Sequence, residues 1–211
     1  MLVKMLFILC FKFKFIPYID NIYSYFMKKK NTLISIVIIS LNTKKNFFKS
    51  LISAHNQDYS NKEIIVVDGV SEDGTINLIK KNRKKINKLI IEKDKGIYHA
   101  MNKGIKIAKG AWIIFLNSGD VFSKQNILKK MSISKHSNFD ILYGNTIVHN
   151  NNLKYLVESN KISTSSINIP FCHQSSIVKS KLLKKNPFNL NYKICSDFNF
   201  FLKMYLYKKK F

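Results

Sequence analysis

The sequence predicts an α/β fold: a mostly parallel open sheet flanked by helices, with a small antiparallel hairpin in the C-terminal half. Three observations predict it. Short β-branched runs alternate with helical periodicity from residue 34 to residue 130, the pattern of chained βα units. Residues 34–40 (ISIVIIS) and 112–116 (WIIFL) are apolar without alternation, as in strands covered on both faces. Acidic or amide residues follow these strands, at the carboxyl edge where such sheets bind ligands.

At 211 residues the chain allows one substantial domain, placed at 27–211, preceded by an N-terminal extension at 1–26. Apolar residues make up 46% and aromatics 13%, which argues against disorder despite a formal net charge of +24. The 36 basic residues include one arginine, Arg83, against 12 acids. Without the arginine fork that reads bases and phosphates, a nucleic-acid partner is disfavoured, and an anionic membrane surface suits the lysines better. Cys10, Cys172 and Cys195 form no CxxC pair and no metal-ligand spacing, which suits a reducing cytosol and small buried side chains.

In the extension, the apolar run 5–11 is far shorter than the roughly 20 residues of a spanning helix, and Lys12 and Lys14 break it. No small-residue cleavage site follows, and Met27 stands directly before the first strand. Residues 1–26 therefore read either as an upstream misread start or as a basic, aromatic membrane-surface segment. After strand 34–40, Leu41-Asn42-Thr43 lacks the glycines of a dinucleotide fingerprint or a P-loop. A helix is expected at 46–56, with Phe47, Phe48, Leu51 and Ile52 at helical spacing and His55 at the surface or capping its end. The second strand, 63–68, ends on Asp68, and a turn through Asp73 leads into a helix at 75–85. Asp73 reads as a ligand contact or a helix cap. A third strand at 89–92 precedes Asp94-Lys95-Gly96. The helix expected at 97–108 buries Ile97, Ala100, Met101, Gly104, Ile105 and Ala108, with Gly110 as its stop. Strand 112–116 ends in Asn117-Ser118-Gly119-Asp120, and Ser123 reads as the cap of a helix at 124–130. Beyond it the pattern predicts a hairpin of 140–148 and 153–158, a loop at 170–174, a short strand at 175–178 and a helix at 196–207 with Asp197 in its first turn.

The segments IISLN, EIIVVDGVSEDGT, DKGIYHAMNKGIKIAKG, WIIFLNSGD, FCHQS and CSDFNFFLK, in this order, resemble family 2 glycosyltransferases of GT-A fold. The bacterial branch that assembles surface polysaccharides is the nearest likeness, and it spans residues 33–204. The resemblance implies an inverting transferase that moves a hexose or N-acetylhexosamine from a nucleotide-sugar donor, a UDP-sugar foremost, to a lipid-linked saccharide. It implies a divalent cation, Mn²⁺ or Mg²⁺, and a peripheral location at the cytoplasmic face of the membrane. A hard cation held by carboxylate oxygen would stabilise the diphosphate leaving group, and an acceptor-side base would take the attacking hydroxyl's proton. By position, Asp68 would contact the donor's base or ribose and Asp73 would support the nucleoside site. Asn42, Gly69, Asp94, Lys95, Gly96, Asn102 and Asn117 would join in donor binding. Asp120 would hold the metal, and His173 would be a second ligand, an acceptor contact or a structural residue. Asp197 would be the catalytic base, with helix capping as the alternative. The sequence departs from the family's usual Asp-x-Asp-Asp motif, since NSGD keeps only its last acid. The chain also stops soon after the Asp197 helix, at Phe211, which reads as a C-terminal truncation. Two alternatives follow: an inactive nucleotide-sugar-binding remnant, and a basic nucleic-acid-binding protein.

Overall fold

The computed structural model describes residues 32–150, 153–160 and 171–211, all within one compact unit. The expectations for residues 1–26, for the hairpin turn at 151–152 and for Pro170 lie outside the described residues.

Strand β1 (Ile34–Ser40) is buried along its whole length, because it is paired on both sides. It runs parallel to β2 (Lys62–Asp68) and to β4 (Trp112–Asn117), with Ile36 opposite Ile64 on one side and Ile114 on the other. Strand β3 (Lys88–Ile91) adds in parallel outside β2. Beyond β4 the direction reverses: β8 (Ser176–Lys179) and then β5 (Ile141–Tyr143) complete a six-stranded sheet of order β3-β2-β1-β4-β8-β5.

Alternate residues of the central strands feed two cores. Val37, Ile39, Ile65, Val67, Ile113 and Phe115 face α3 (Ile97–Ile107) and α6 (Ser196–Leu206). Ile36, Ile38, Ile64, Val66, Ile114 and Leu116 face α1 (Lys44–His55), α2 (Thr75–Lys81) and α4 (Ile127–Lys130). Two-sided coverage is why these strands read as unbroken apolar runs. Gly104 brings α3 onto β1, where a Cβ would overlap Cγ1 of Val37. The short helix α5 (Ser180–Lys185) closes the end of the first core through Leu182 and Leu183.

Several boundaries differ from the sequence expectation, each for a nonlocal reason. Helix α3 buries Tyr98, while Ile97 is 44% exposed. Gly110 does not stop that helix, which has already ended at Ile107. Its missing Cβ instead leaves room for the Ser35 backbone nitrogen, and its N–H donates to Ser35 Oγ and Glu63 Oε1. The helix expected at 75–85 ends at Lys81 and continues only as the single 3-10 turn Arg83–Lys85. The helix expected at 124–130 shrinks to Ile127–Lys130, preceded by Asn126 rather than capped by Ser123. The cause is the end of α1: Gln57 Nε2 donates to Lys124 O and the Asp58 N–H donates to Gln125 O, so those carbonyls serve the neighbouring segment. The strand expected at 140–148 divides at Gly144. Its first part joins the main sheet as β5, and β6 (Thr146–Asn150) pairs with β7 (Leu153–Val157) as a separate ribbon. Residues His173–Ser175 form a 3-10 turn, so β8 starts one residue later than expected. On the outer side of β5, the Asp140 and Ile141 N–H groups both donate to Lys210 O, which covers the sheet edge.

Candidate active site

The carboxyl ends of β1, β2 and β4 and the amino end of β8 meet along one edge, and the candidate residues fall into two groups there.

The first group builds loops. Asp68, at the end of β2, is fully buried, and its two oxygens accept the Ser71 N–H and the Ser71 hydroxyl at 2.7 Å each. Ser71 Oγ accepts the Asn42 N–H at 2.8 Å, and Asn42 Oδ1 accepts the Glu72 N–H at 2.8 Å. Asn42 is in the left-handed region (φ 51°), which an asparagine tolerates better than most residues. Asp68 and Asn42 thus tie the β1 and β2 loops together, and any contribution of Asp68 to a nucleoside passes through the Ser71 turn. Asp73 accepts the Lys44 N–H at the start of α1 (2.8 Å) and both the N–H (3.0 Å) and hydroxyl (2.5 Å) of Thr75 at the start of α2. The bonds from Thr75 and Lys44 hold its carboxyl below the ordinary value. It therefore satisfies exposed donors at two helix starts, in line with the capping alternative.

Gly69 donates to Ser40 O, and a Cβ on it would stand 3.1 Å from both Asp94 Oδ2 and Leu41. That gap admits Asp94, which is paired with Lys103 Nζ at 2.8 Å. Lys95 contributes its N–H to His99 Nδ1 at 3.1 Å, and Gly96, at φ 119°, makes the turn into α3. Asn102 has a structural tie. Its amide is committed to the main chain of Phe188, donating to the carbonyl at 2.8 Å and accepting the N–H at 2.9 Å, so it clamps α3 to the segment leading into α6.

The second group is under-satisfied. In the NSGD turn, the Ser118 hydroxyl donates to Ile39 O, the Gly119 N–H donates to Ser50 Oγ, and the Ser50 hydroxyl donates to the Asp120 carbonyl. Gly119 (φ 115°) supplies the left-handed turn. This main-chain frame leaves the side chains uncompensated: Asn117 Oδ1 and Asp120 Oδ2 are buried with no hydrogen-bond partner. Burial pushes the Asp120 carboxyl above its ordinary value.

His173 has a partner that the sequence did not reveal. Its Nδ1 lies 2.6 Å from Asp197 Oδ2, so Nδ1 carries the proton, while Nε2 is buried and unpartnered. Asp197, in the first turn of α6, also accepts the Tyr98 hydroxyl on Oδ1 at 2.7 Å. Burial alone would raise the Asp197 carboxyl; the bonds from His173 and Tyr98 overcome that and hold it at about 2. Conversely, burial and the Asp197 charge push the Tyr98 hydroxyl up to about 12. Tyr98 is the site residue that sequence reading missed. Its place at the start of α3, within GIYHAMNKG, gave no sign of a contact 99 residues away.

No group of three His, Cys, Asp or Glu side chains suited to a metal occurs among the described residues. The orphaned Asp120 oxygen, Asn117 oxygen and His173 nitrogen are nevertheless donors of the oxygen and imidazole types that Mn²⁺ accepts.

An open, mostly parallel sheet with unpaired polar atoms beyond its strand ends is the arrangement of an α/β ligand site. The chain belongs to glycosyl transferase family 2, whose profile matches residues 35–210. A PGL/p-HBAD biosynthesis glycosyltransferase of Mycobacterium tuberculosis is 27% identical over 174 residues, covering 80% of this chain and 68% of the relative. The Escherichia coli enzyme WfgD, a UDP-Glc:alpha-D-GlcNAc-diphosphoundecaprenol beta-1,3-glucosyltransferase, is 32% identical over 121 residues, 57% of this chain and 48% of that enzyme. Among solved structures, the mannosyltransferase PcManGT of Pyrobaculum calidifontis, in complex with GDP-Man and Mn²⁺, superposes with a TM-score of 0.64 at 15% identity, over 87% of this chain and 55% of that one. The chain thus spans about half the length of the last two proteins.

Proposed function

We propose that this protein transfers a hexose or N-acetylhexosamine, with inversion, from a nucleotide-sugar donor to a lipid-linked saccharide at the cytoplasmic face of a membrane, during surface-polysaccharide assembly. One observation carries this reading: three buried polar atoms, on Asn117, Asp120 and His173, lack protein partners at the carboxyl edge, beside the Asp197 carboxylate. Buried polar groups are otherwise paired, so this cluster is suited to an external ligand. The names of the relatives support the donor and acceptor classes, since WfgD uses UDP-Glc and a diphosphoundecaprenol-linked sugar.

Asp120, with Asn117 and His173, would hold a divalent cation, which when bound supplies positive charge to the departing diphosphate. Asp197 fixes the His173 ring through Nδ1, as a carboxylate partner orients a ligating imidazole. Each Asp197 oxygen keeps a second lone pair, so the carboxylate can also accept the attacking acceptor hydroxyl. The bonds from His173 and Tyr98 depress its basicity, so it takes the hydroxyl proton as the new sugar–oxygen bond forms and that proton becomes acidic. Lys95, Gly96 and the Asp94–Lys103 pair line the donor-side loop.

The deciding experiment is thermal stability with UDP, GDP, CMP and dTDP, each with and without Mn²⁺, followed by sugar transfer to a lipid-linked acceptor. Saturation at 100 times the dissociation constant corresponds to about 2.7 kcal/mol, a resolvable shift. We expect a shift with UDP that grows with Mn²⁺, and transfer that disappears in Asp197→Asn with the melting temperature retained. Folded protein insensitive to every nucleotide would reject the reading.

A further inference from the structure

Exposed apolar side chains are unevenly distributed on this protein. The two most exposed large apolar side chains among the described residues are Ile194 (78%), in the loop at 189–195 with Leu190 and Tyr192 also exposed, and Leu153 (69%), in the β6–β7 ribbon with Tyr155 and Leu156; Leu206 (67%) follows at the end of α6. Both segments adjoin candidate residues along the chain. The loop ends at Ser196, next to Asp197. The ribbon begins after Gly144, whose N–H donates to Ser175 O in the turn that carries His173.

The loop is held in place rather than loose. Its base is fixed by the Asn102–Phe188 clamp and by the Ser196 hydroxyl donating to Asn189 O at 2.9 Å. Inside it, Asn189 Oδ1 accepts the Asn191 N–H at 3.0 Å. The apolar side chains therefore point outward from an ordered backbone, which spares much of the ordering cost of docking. Lysine is interleaved with them, Lys193 between Tyr192 and Ile194 and Lys154 between Leu153 and Tyr155, and no acid occurs within 189–195 or 146–157.

We propose that these two segments form a membrane-docking rim that lays the mouth of the site against an anionic lipid surface. Tyr192, Ile194 and Leu153 would enter the headgroup and upper acyl region while Lys193 and Lys154 pair with lipid phosphates. Aromatic and aliphatic tips flanked by lysine suit this interface, where apolar burial and attraction to anionic lipid add. A net charge of +24 supplies the long-range complementarity. The assignment deepens the proposed function, because a lipid-linked acceptor requires the site to open at the bilayer surface.

The test is co-sedimentation of the full chain with vesicles of phosphatidylcholine alone and with 30% phosphatidylglycerol, about the fraction that gives a strongly anionic surface. We expect binding to the anionic vesicles only, weakened about tenfold in Tyr192→Ser/Ile194→Ser and again by Leu153→Ser, with unchanged melting temperature. UDP-dependent thermal stabilisation is measured on the same samples, so failure of the transferase reading and failure of the docking rim register separately. Equal binding to both vesicle types, or a double variant that binds as tightly as wild type, would overturn the proposal and leave a protein partner for these side chains.

Discussion

The two ends of the central sheet handle buried polar groups in opposite ways. At the amino end, Glu63 opens β2 and is 6% exposed, yet it is fully satisfied. It accepts the Ser35 hydroxyl (2.5 Å) and the N–H groups of Lys109 (2.5 Å) and Gly110 (3.0 Å), and it pairs with Lys88 Nζ at 2.9 Å. At the carboxyl end, Asn117, Asp120 and His173 keep buried atoms without partners. The same sheet thus carries a closed polar knot that holds β1, β2, β3 and the entry to β4 together, and at its other end polar atoms without protein partners. A satisfied buried network rigidifies a fold, whereas an unsatisfied one costs stability and persists where chemistry needs it.

The comparison can be broken most severely at Asp120. Asp120→Asn should lower transfer by about a thousandfold, the scale for losing a metal-holding or transition-state charge, while the melting temperature stays equal or rises because a desolvated charge is gone. Glu63→Ala should do the reverse. Removing the counter-charge of Lys88 and the acceptor of the Ser35 hydroxyl and the Lys109 N–H should destabilise the fold by about 3 kcal/mol, read by urea denaturation, with transfer per folded molecule retained. A smaller effect is expected from Tyr98→Phe: about a tenfold loss of kcat through poorer orientation of Asp197, with an acid limb of the pH–rate profile displaced upward as one bond to the carboxylate disappears.

Mild acid separates the two ends further. Burial alone would raise the Glu63 carboxyl, but its bonds with Lys88, Ser35 and Lys109 bring it below its ordinary 4.5. Its contribution to stability is therefore present above pH 4.5 and is lost as the pH falls through the lower folded value. Chemical denaturation from pH 6 to pH 3 should show a decline that is shallower in Glu63→Gln. Equal slopes in the two proteins would mean that the knot at the amino end is not what acid unpicks.

Much of the frame was legible because its signals are local. The unbroken runs at 34–40 and 112–116 announced two-sided burial, which the sheet shows. What escaped was long-range. His173 looked solitary because Asp197 lies 24 residues on, and the clamp from Asn102 to Phe188 joins residues 86 apart. The structural tie made by Asn102 was accordingly not legible. Gly110 read as a helix stop because nothing nearby shows that Ser35 presses against it. The strand at 140–148 read as half of a hairpin because its alternation does not reveal that residues 141–143 meet β8 before the ribbon begins.

The clamp has a practical consequence. Both ends of the loop at 189–195 are fixed through main-chain atoms of Phe188 and Asn189, held by Asn102 and Ser196. The intervening side chains are therefore not what holds the loop's base, and residues 190–194 form an exchangeable cassette. Libraries of five-residue inserts could be grafted there on a constant scaffold, so that the affinity of this surface for lipid becomes a selectable trait separate from the fold.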